Sequence, residues 1–505
     1  MNAASGIVYF VGAGPGAPGL LTLRGAECLR RADIVLFDYL VNPELLAHTA
    51  DSAEKLCLGR YGRSTKWPQE AINKKLVEEA KLGKIVVRLK GGDPMVFGRA
   101  AEEVGTVARE NIPFEIVPGV TAALAGAAYS GIPITDRNHA SAIAFVTGQE
   151  NPTKESSAID YGALARFPGT LVFYMGITTS QHWTSKLIEN GLPADAHVTL
   201  LRRCSWPDQQ AIRCRLDEVA DRVTPYSKFP PPAIAIVGTT GDRMIESWFE
   251  QLPLFGLTVL VSRPRHQAKE MSNHLRELGA RVLLQPALRI EDPRDWQGVD
   301  DAILNLDRYD WIVFSSTNAV HQFMKRLDHL DRDIRALGSL KITVVGPHTA
   351  AALREYQLKP DLIPEDGFNA ESVAALLEPF ADGAKFLLPR ASRGREALEN
   401  RLREAGGKVQ SVVAYEHLDE TTANPEVLEE LAEGNIDWLV MTSPGIARSL
   451  DKLLGKNLSK VKTATISPLT SQAVRALGWQ VAAEAKTATS EGIVAAIVNE
   501  AQAQR

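Results

Sequence analysis

The second half of the chain repeats itself at a fixed interval. "GLTVLVSRPRHQAKEMSNHLRELGARV" from Gly256 is matched by "GAKFLLPRASRGREALENRLREAGGKV" from Gly383, and "DWIVFSSTNAV" from Asp310 by "DWLVMTSPGIA" from Asp437. Both pairs lie 127 residues apart, since 383 − 256 equals 437 − 310. A slightly shortened third echo links "VVGPHTAAALREYQLKPDLIPEDGFNAESVAAL" to "TISPLTSQAVRALGWQVAAEAKTATSEGIVAAI". Self-similarity at one interval reads as duplication of a supersecondary unit. Two equivalent α/β units facing one another leave a cleft, where ligands commonly bind.

The first half does not repeat, but it shares the rhythm. Short apolar runs such as "GIVYFVG", "ADIVLFD", "KIVVRLKGG", "PFEIVPG", "AIAFVTG", "TLVFYMG" and "AIAIVG" alternate with helical patterns, which predicts an α/β architecture with largely parallel sheets. A break at "SWFEQLPLFGLTVLVSRPR" places a domain boundary near residue 254, giving halves 1–254 and 255–505. With 505 residues, three or four domain-sized units are expected. A net charge of −5 gives no basic footprint for nucleic acid. Cys28, Cys57, Cys204 and Cys214 form no C-x-x-C pair, so buried free thiols in a reducing cytoplasm are expected and no metal. Neither a membrane-length apolar run nor a signal peptide is visible.

The chemistry of the first half begins in "VYFVGAGPGAPGLLTLRGAE", from Val8 to Glu27. A strand running into glycines suggests a dinucleotide turn, and Asp38 stands where a ribose-binding acid would follow. That turn requires a helix to begin within the glycines, with the pyrophosphate on its first amides. Here Pro15 and Pro18 interrupt Gly12, Gly14, Gly16 and Gly19, and helical pattern resumes only near Leu20. An extended loop is the better expectation. Three more strand ends carry glycine: Gly91-Gly92-Asp93 in "VVRLKGGDPMVFGRAAEE", Pro118-Gly119 in "IVPGVTAALAGAAYSGIPITDR", and Met175-Gly176 in "VFYMG". Open α/β sheets bind ligands outside the carboxyl ends of their strands.

Together "VGAGPG", "VVRLKGGDP" with "VFGR", and "VPGVTAA" with "GIPIT" make residues 5–250 similar to uroporphyrinogen-III C-methyltransferases of the tetrapyrrole methylase family. The resemblance implies two α/β subdomains, about 1–136 and 137–250, with S-adenosylmethionine bound between them. Pro15, Gly91, Gly92, Asp93, Val96, Thr121, Ala122, Met175 and Ala233 would line the cofactor. Asp38 would accept a proton. Arg60 in "LGRYG" stands where the family carries lysine; a guanidinium hardly deprotonates, so Arg60 would anchor a substrate carboxylate. A family Gly-Thr falls near Cys204-Ser205. The implied reaction methylates uroporphyrinogen III at C-2 and C-7 to give precorrin-2, in a homodimer built through this half.

In the second half, "FSSTN", "GPHTA", "TSPG" and "SPLTS" each place hydroxyls between a strand and a helix. Helix capping explains each one alone, while a symmetric set around a cleft suits an anionic ligand. Ser316, Thr349, Ser443 and Thr470 are the substrate-binding candidates, with positive charge from Arg263, Arg265, Arg390, Arg393 and Arg395. Residues 256–500 resemble uroporphyrinogen-III synthases. That implies two flavodoxin-like lobes joined by a two-strand hinge, about 256–291 with 417–505 and 292–416, closing hydroxymethylbilane with inversion of ring D. Tyr415 in "VVAYEH" matches a family tyrosine near the cleft.

The expected whole is a bifunctional enzyme whose second half makes the substrate of its first. The rival reading is an NAD-dependent oxidoreductase fused to a two-lobed anion sensor.

Overall fold

The computed structural model describes residues 6–59, 67–150, 154, 157–224, 229–238, 245–365, 367–394 and 396–504. They form two compact units, one chiefly of residues up to 258 and the other chiefly of residues 259–503. Each unit carries two five-stranded sheets.

In the first unit, one sheet has the order Glu54–Cys57, Ile34–Phe37, Ile85–Lys90, Ile7–Gly12, Phe114–Val117, and every pairing is parallel. The interior strand Ile7–Gly12 shows why. Val8, Tyr9, Phe10 and Val11 are all buried, and alternate residues feed two separate cores on opposite faces. A strand apolar on both faces needs helices on both, which is the parallel arrangement.

The second sheet departs from the parallel expectation. Its order is Ile143–Thr147, Thr170–Tyr174, Ala233–Val237, His197–Arg202, Gln210–Arg215, and only the first pair is parallel. The link from Arg202 to Gln210 is too short for a crossover helix, so the chain turns back on itself.

The second unit shows what the repeat builds. One sheet has the order Arg281–Leu284, Thr258–Val261, Trp438–Met441, Lys462–Thr465, Val481–Glu484. The other has Leu288–Glu291, Lys408–Asp419, Lys385–Ala391, Trp311–Phe314, Lys341–Val344. Matching strands of the two copies occupy matching places in different sheets. Thr258–Val261 of the first copy pairs with Trp438–Met441 of the second, and Lys385–Ala391 of the second pairs with Trp311–Phe314 of the first. The copies have thus exchanged halves. Two segments cross between lobes and run antiparallel, Leu288 opposite Asp419 through Glu291 opposite Glu416. At the end of that ribbon Asp419 accepts hydrogen bonds from Arg393 (2.9 Å), Ser449 (2.8 Å) and Lys452 (3.1 Å).

Candidate active sites

Three glycine strand ends of the first unit meet without room for a side chain. A Cβ on Gly12 would lie 2.5 Å from Gly119 backbone, and one on Gly119 would lie 2.3 Å from the Gly92 carbonyl. Gly14 bridges Gly92, with both in the left-handed region at φ +73° and +67°. Glycine alone enters that region without cost. The fourth end arrives through Tyr174, whose hydroxyl is 2.7 Å from Thr121 Oγ1 and accepts the Ala123 amide at 3.0 Å. Thr121 precedes the helix Ala122–Ser130, yet its hydroxyl serves Tyr174 and caps nothing. Burial pushes the Tyr174 phenol pKa up, so it stays protonated. The register places Ile234 opposite Tyr174, which leaves Ala233 beside Met175.

The turn's amides decide between the two cofactor readings. Ala13 N–H donates to Lys90 carbonyl (2.8 Å), Gly14 N–H to Gly92 carbonyl (3.2 Å), and Ala17 N–H to Ser205 Oγ (3.0 Å). The α-helix begins only at Leu23, capped by Thr22. A pyrophosphate would find these amides occupied and no helix start beneath it. Asp93 instead offers acceptors: Oδ1 takes the Met95 amide (2.7 Å) and Oδ2 the Gly119 amide (3.0 Å). Each oxygen keeps a free lone pair for a ribose hydroxyl. Only Leu40 approaches a Cβ placed on Gly91, at 3.3 Å, so a ligand can lie close to that backbone. This set fits a nucleoside that lacks phosphates.

Beneath it lies a charge cluster that sequence reading missed. Arg88 Nη2 donates to Asp38 Oδ1 at 2.5 Å, and Glu103 accepts from Arg88 (3.2 Å) and Lys90 (3.0 Å). Arg88, Lys90 and Glu103 are buried, while Asp38 is partly open. Burial, and then the neighbouring Arg88, pull the Lys90 pKa below its ordinary value, against the pull of Glu103. Two cations alternating inside "IVVRLK" were the available signal, because a buried strand tolerates them only with buried partners. Arg60 lies outside the described residues, as does Arg395.

In the second unit Ser316, Arg390 and Tyr415 line one cavity of about 400 Å³, with Arg393 and His417. Ser316 caps the helix Thr317–His329 by accepting the Ala319 amide, and its hydroxyl is 2.9 Å from that of Tyr415. Burial raises the Tyr415 pKa, which keeps the phenol a donor. Burial, then Arg393, lower the His417 pKa, favouring the neutral ring. The arginines are less free than expected: Arg390 pairs with Glu399 at 3.3 Å and Arg393 with Asp419. Arg263 bonds Ser490. Ser443, Thr349 and Thr470 do not line this cavity. Ser443 caps Pro444–Leu454, and Thr349 and Thr470 are 3% and 1% exposed under their helices. Both threonines lie in the first turns of their helices, and the Thr470 hydroxyl is 3.2 Å from that of Ser467, the residue before its helix. The amides of their helices' first turns are what those strand ends present.

Two family models match in series: tetrapyrrole (corrin/porphyrin) methylases over residues 7–220 and uroporphyrinogen-III synthase HemD over residues 269–495. The fold and sites thus define a two-part enzyme of tetrapyrrole synthesis. A porphyrin biosynthesis protein HemD of Ruminiclostridium josui is 33% identical over 438 residues, 87% of each chain. A uroporphyrinogen-III C-methyltransferase of Bacillus subtilis strain 168 is 36% identical over 334 residues, 66% of this chain and 68% of that one. An S-adenosyl-L-methionine-dependent uroporphyrinogen III methyltransferase of Methanosarcina barkeri is 42% identical over 238 residues, 47% of this chain and 93% of that one. The chain belongs to this family, as a tetrapyrrole methylase fused to a uroporphyrinogen-III synthase. The oxidoreductase and sensor reading falls with it.

Proposed function

We propose that the second half closes hydroxymethylbilane to uroporphyrinogen III with inversion of ring D, and that the first half methylates this product at C-2 and C-7 to give precorrin-2. The cofactor proposed is S-adenosylmethionine, whose sulfonium supplies an activated methyl group. The protein's share is then in-line placement and a home for the displaced ring proton. Asp93 would orient ribose hydroxyls between the amides that hold it. Pro15, Gly91, Gly92, Val96, Thr121, Ala122, Met175 and Ala233 would complete the lining. Asp38 would take the proton on Oδ2, because Oδ1 is held by Arg88. Arg60 would anchor a substrate carboxylate. In the synthase half, Tyr415 would donate to the departing hydroxyl with Ser316 behind it, while the lobes hold the polycarboxylate for attack by the substituted carbon.

The observation that carries the methylase reading is the pairing of an Asp38 fixed by Arg88 with the occupied amides of the glycine turn. Assembly as a homodimer through the first half belongs to the proposal, with exposed Leu23 and Leu124 as apolar surface to cover. So does a cytoplasmic setting, which suits four unpaired thiols. Among the described residues, no helix is long and apolar enough to cross a membrane. Chromatographic separation of the type I and type III isomers, with mass spectrometry for methyl gain, on the products from hydroxymethylbilane tests the whole. The cyclic type III product is expected without S-adenosylmethionine, and a species two methyl groups heavier with it. The type I isomer alone, or no methyl gain, would overturn the respective half.

A further inference from the structure

We infer that Ser205 and Trp206 are positioning residues for the cofactor, acting through the turn Pro15-Gly16-Ala17; this rests on the methyltransferase reading above. The turn belongs to the first sheet's domain and has little structure of its own, since it lies between a strand ending at Gly12 and a helix starting at Leu23. Side chains hold it. Ser205 Oγ accepts the Ala17 amide at 3.0 Å, Trp206 Nε1 donates to the Pro15 carbonyl at 3.0 Å, and Asn42 Nδ2 donates to the Gly16 carbonyl at 2.8 Å. The indole lies against the turn so closely that a Cβ on Gly16 would sit 2.1 Å from Nε1. That contact, more than any need of a ligand, is why residue 16 is glycine.

The holding loop is itself strained and braced. Arg203 and Ser205 adopt φ +49° and +65°, a region costly for residues with a side chain. Gln209 Oε1 accepts the Ser205 amide at 2.9 Å, and the Arg203 guanidinium lies 4.2 Å over the Trp206 ring while bonding Asp208 at 2.8 Å. Arg203 also donates its amide to the Pro232 carbonyl, next to Ala233. One loop of the second sheet therefore fixes Pro15, from the first domain, relative to Ala233, from its own. These are two walls of the proposed cofactor site. Holding them before the ligand arrives removes an ordering cost from binding.

The test is isothermal titration of S-adenosylmethionine into the full chain, its Trp206→Phe and Ser205→Ala variants, and the doubly substituted chain, alongside steady-state methyl transfer. Each single change should weaken cofactor binding and raise its KM by about five- to ten-fold, the loss of one or so net hydrogen bonds. The kcat at saturating cofactor and the KM for uroporphyrinogen III should stay near the parent values. A kcat loss with unchanged cofactor affinity, or no change in either, would overturn the inference. A parent chain that binds no S-adenosylmethionine would instead overturn the function proposed above. Should the variants not fold, hydrogen exchange on the parent decides: the Ala17 amide must be protected before cofactor is added, and free exchange there would overturn the inference.

Discussion

The methylase half gathers four acidic and basic side chains beneath its candidate centre, whereas the synthase half presents a phenol, a serine and arginines that already have partners. In the first, Asp38, Arg88 and Lys90 at two adjacent strands and Glu103 on the helix Ala100–Arg109 form one connected cluster. In the second, Ser316 and Tyr415 share a hydrogen bond, and Arg390 and Arg393 are tied to Glu399 and Asp419. The contrast follows the proposed chemistry. Losing a proton from a pyrrole carbon calls for a carboxylate held in one place, and the buried Arg88 fixes Asp38 by its Oδ1. Closing a bilane that readily loses its hydroxyl calls chiefly for placement, which many weak neutral contacts can provide.

The largest effect that would sharpen this contrast comes from Glu103. Glu103→Gln leaves Arg88 and Lys90 buried with one counter-charge removed, and should cost the methylase half about 3–5 kcal/mol in denaturant unfolding. A loss under 1 kcal/mol would mean that the cluster is not desolvated, and the contrast would collapse. Next comes Asp38→Asn, expected to lower methyl transfer by roughly 10²-fold or more while S-adenosylmethionine affinity stays unchanged. Unaltered turnover would remove Asp38 from the chemistry. The matching change in the other half should be milder. Tyr415→Phe should slow ring closure by about ten-fold without abolishing it, the worth of one hydrogen bond. Complete loss in a folded variant would show a dedicated catalytic group where only placement is claimed.

Ser443 and Ser316 offer a smaller comparison, since both cap helices but only Ser316 touches Tyr415. Ser443→Ala should cost about 1 kcal/mol of stability and leave the rate alone, while Ser316→Ala should cost both. The smallest effect concerns acid. The Ser449 hydroxyl first, then Lys452 and Arg393, hold the Asp419 pKa down to about 2, below its ordinary 3.8, so its contribution to stability is present above about pH 4 and lost as pH falls toward 2. The stability gap between the parent and Asp419→Asn should therefore narrow across that window. A constant gap would show that the cluster acts without its charge.

Much of this was legible from local signals. The parallel sheets follow from strands apolar on both faces, and the duplication from an exact interval between echoes, whereas the exchange of halves was implied only by the family resemblance. The antiparallel strands of the methylase's second sheet lie in "LLRRCSWPDQQAIRCR", whose apolar pattern alone suits either a crossover or a turn back. What settles it is the length of the link. The glycines at 12, 92 and 119 were visible, but their mutual contact is a tertiary fact that spacing does not encode. The burial of Thr349 and Thr470 is of the same kind: a hydroxyl after a strand is visible in the sequence, its enclosure in the first turn of a packed helix is not. Ser205 stood only beside a family Gly-Thr position and Trp206 carried no signal, both made important by what lies across from them.

The exchange of halves between the two copies also sets a timetable. The lobe that contains Trp311–Phe314 and Lys385–Ala391 draws its parallel strands from one continuous stretch, so it can close soon after that stretch leaves the ribosome. The other lobe cannot. Its strand from Thr258 pairs with the one at Trp438, and Val259 meets Trp438 only after everything between them has been made. At synthesis rates of about 5–20 residues per second, an apolar strand must wait on the order of 10–40 s for its neighbour. During that time the edge that will take Trp438–Met441 is open to mispairing.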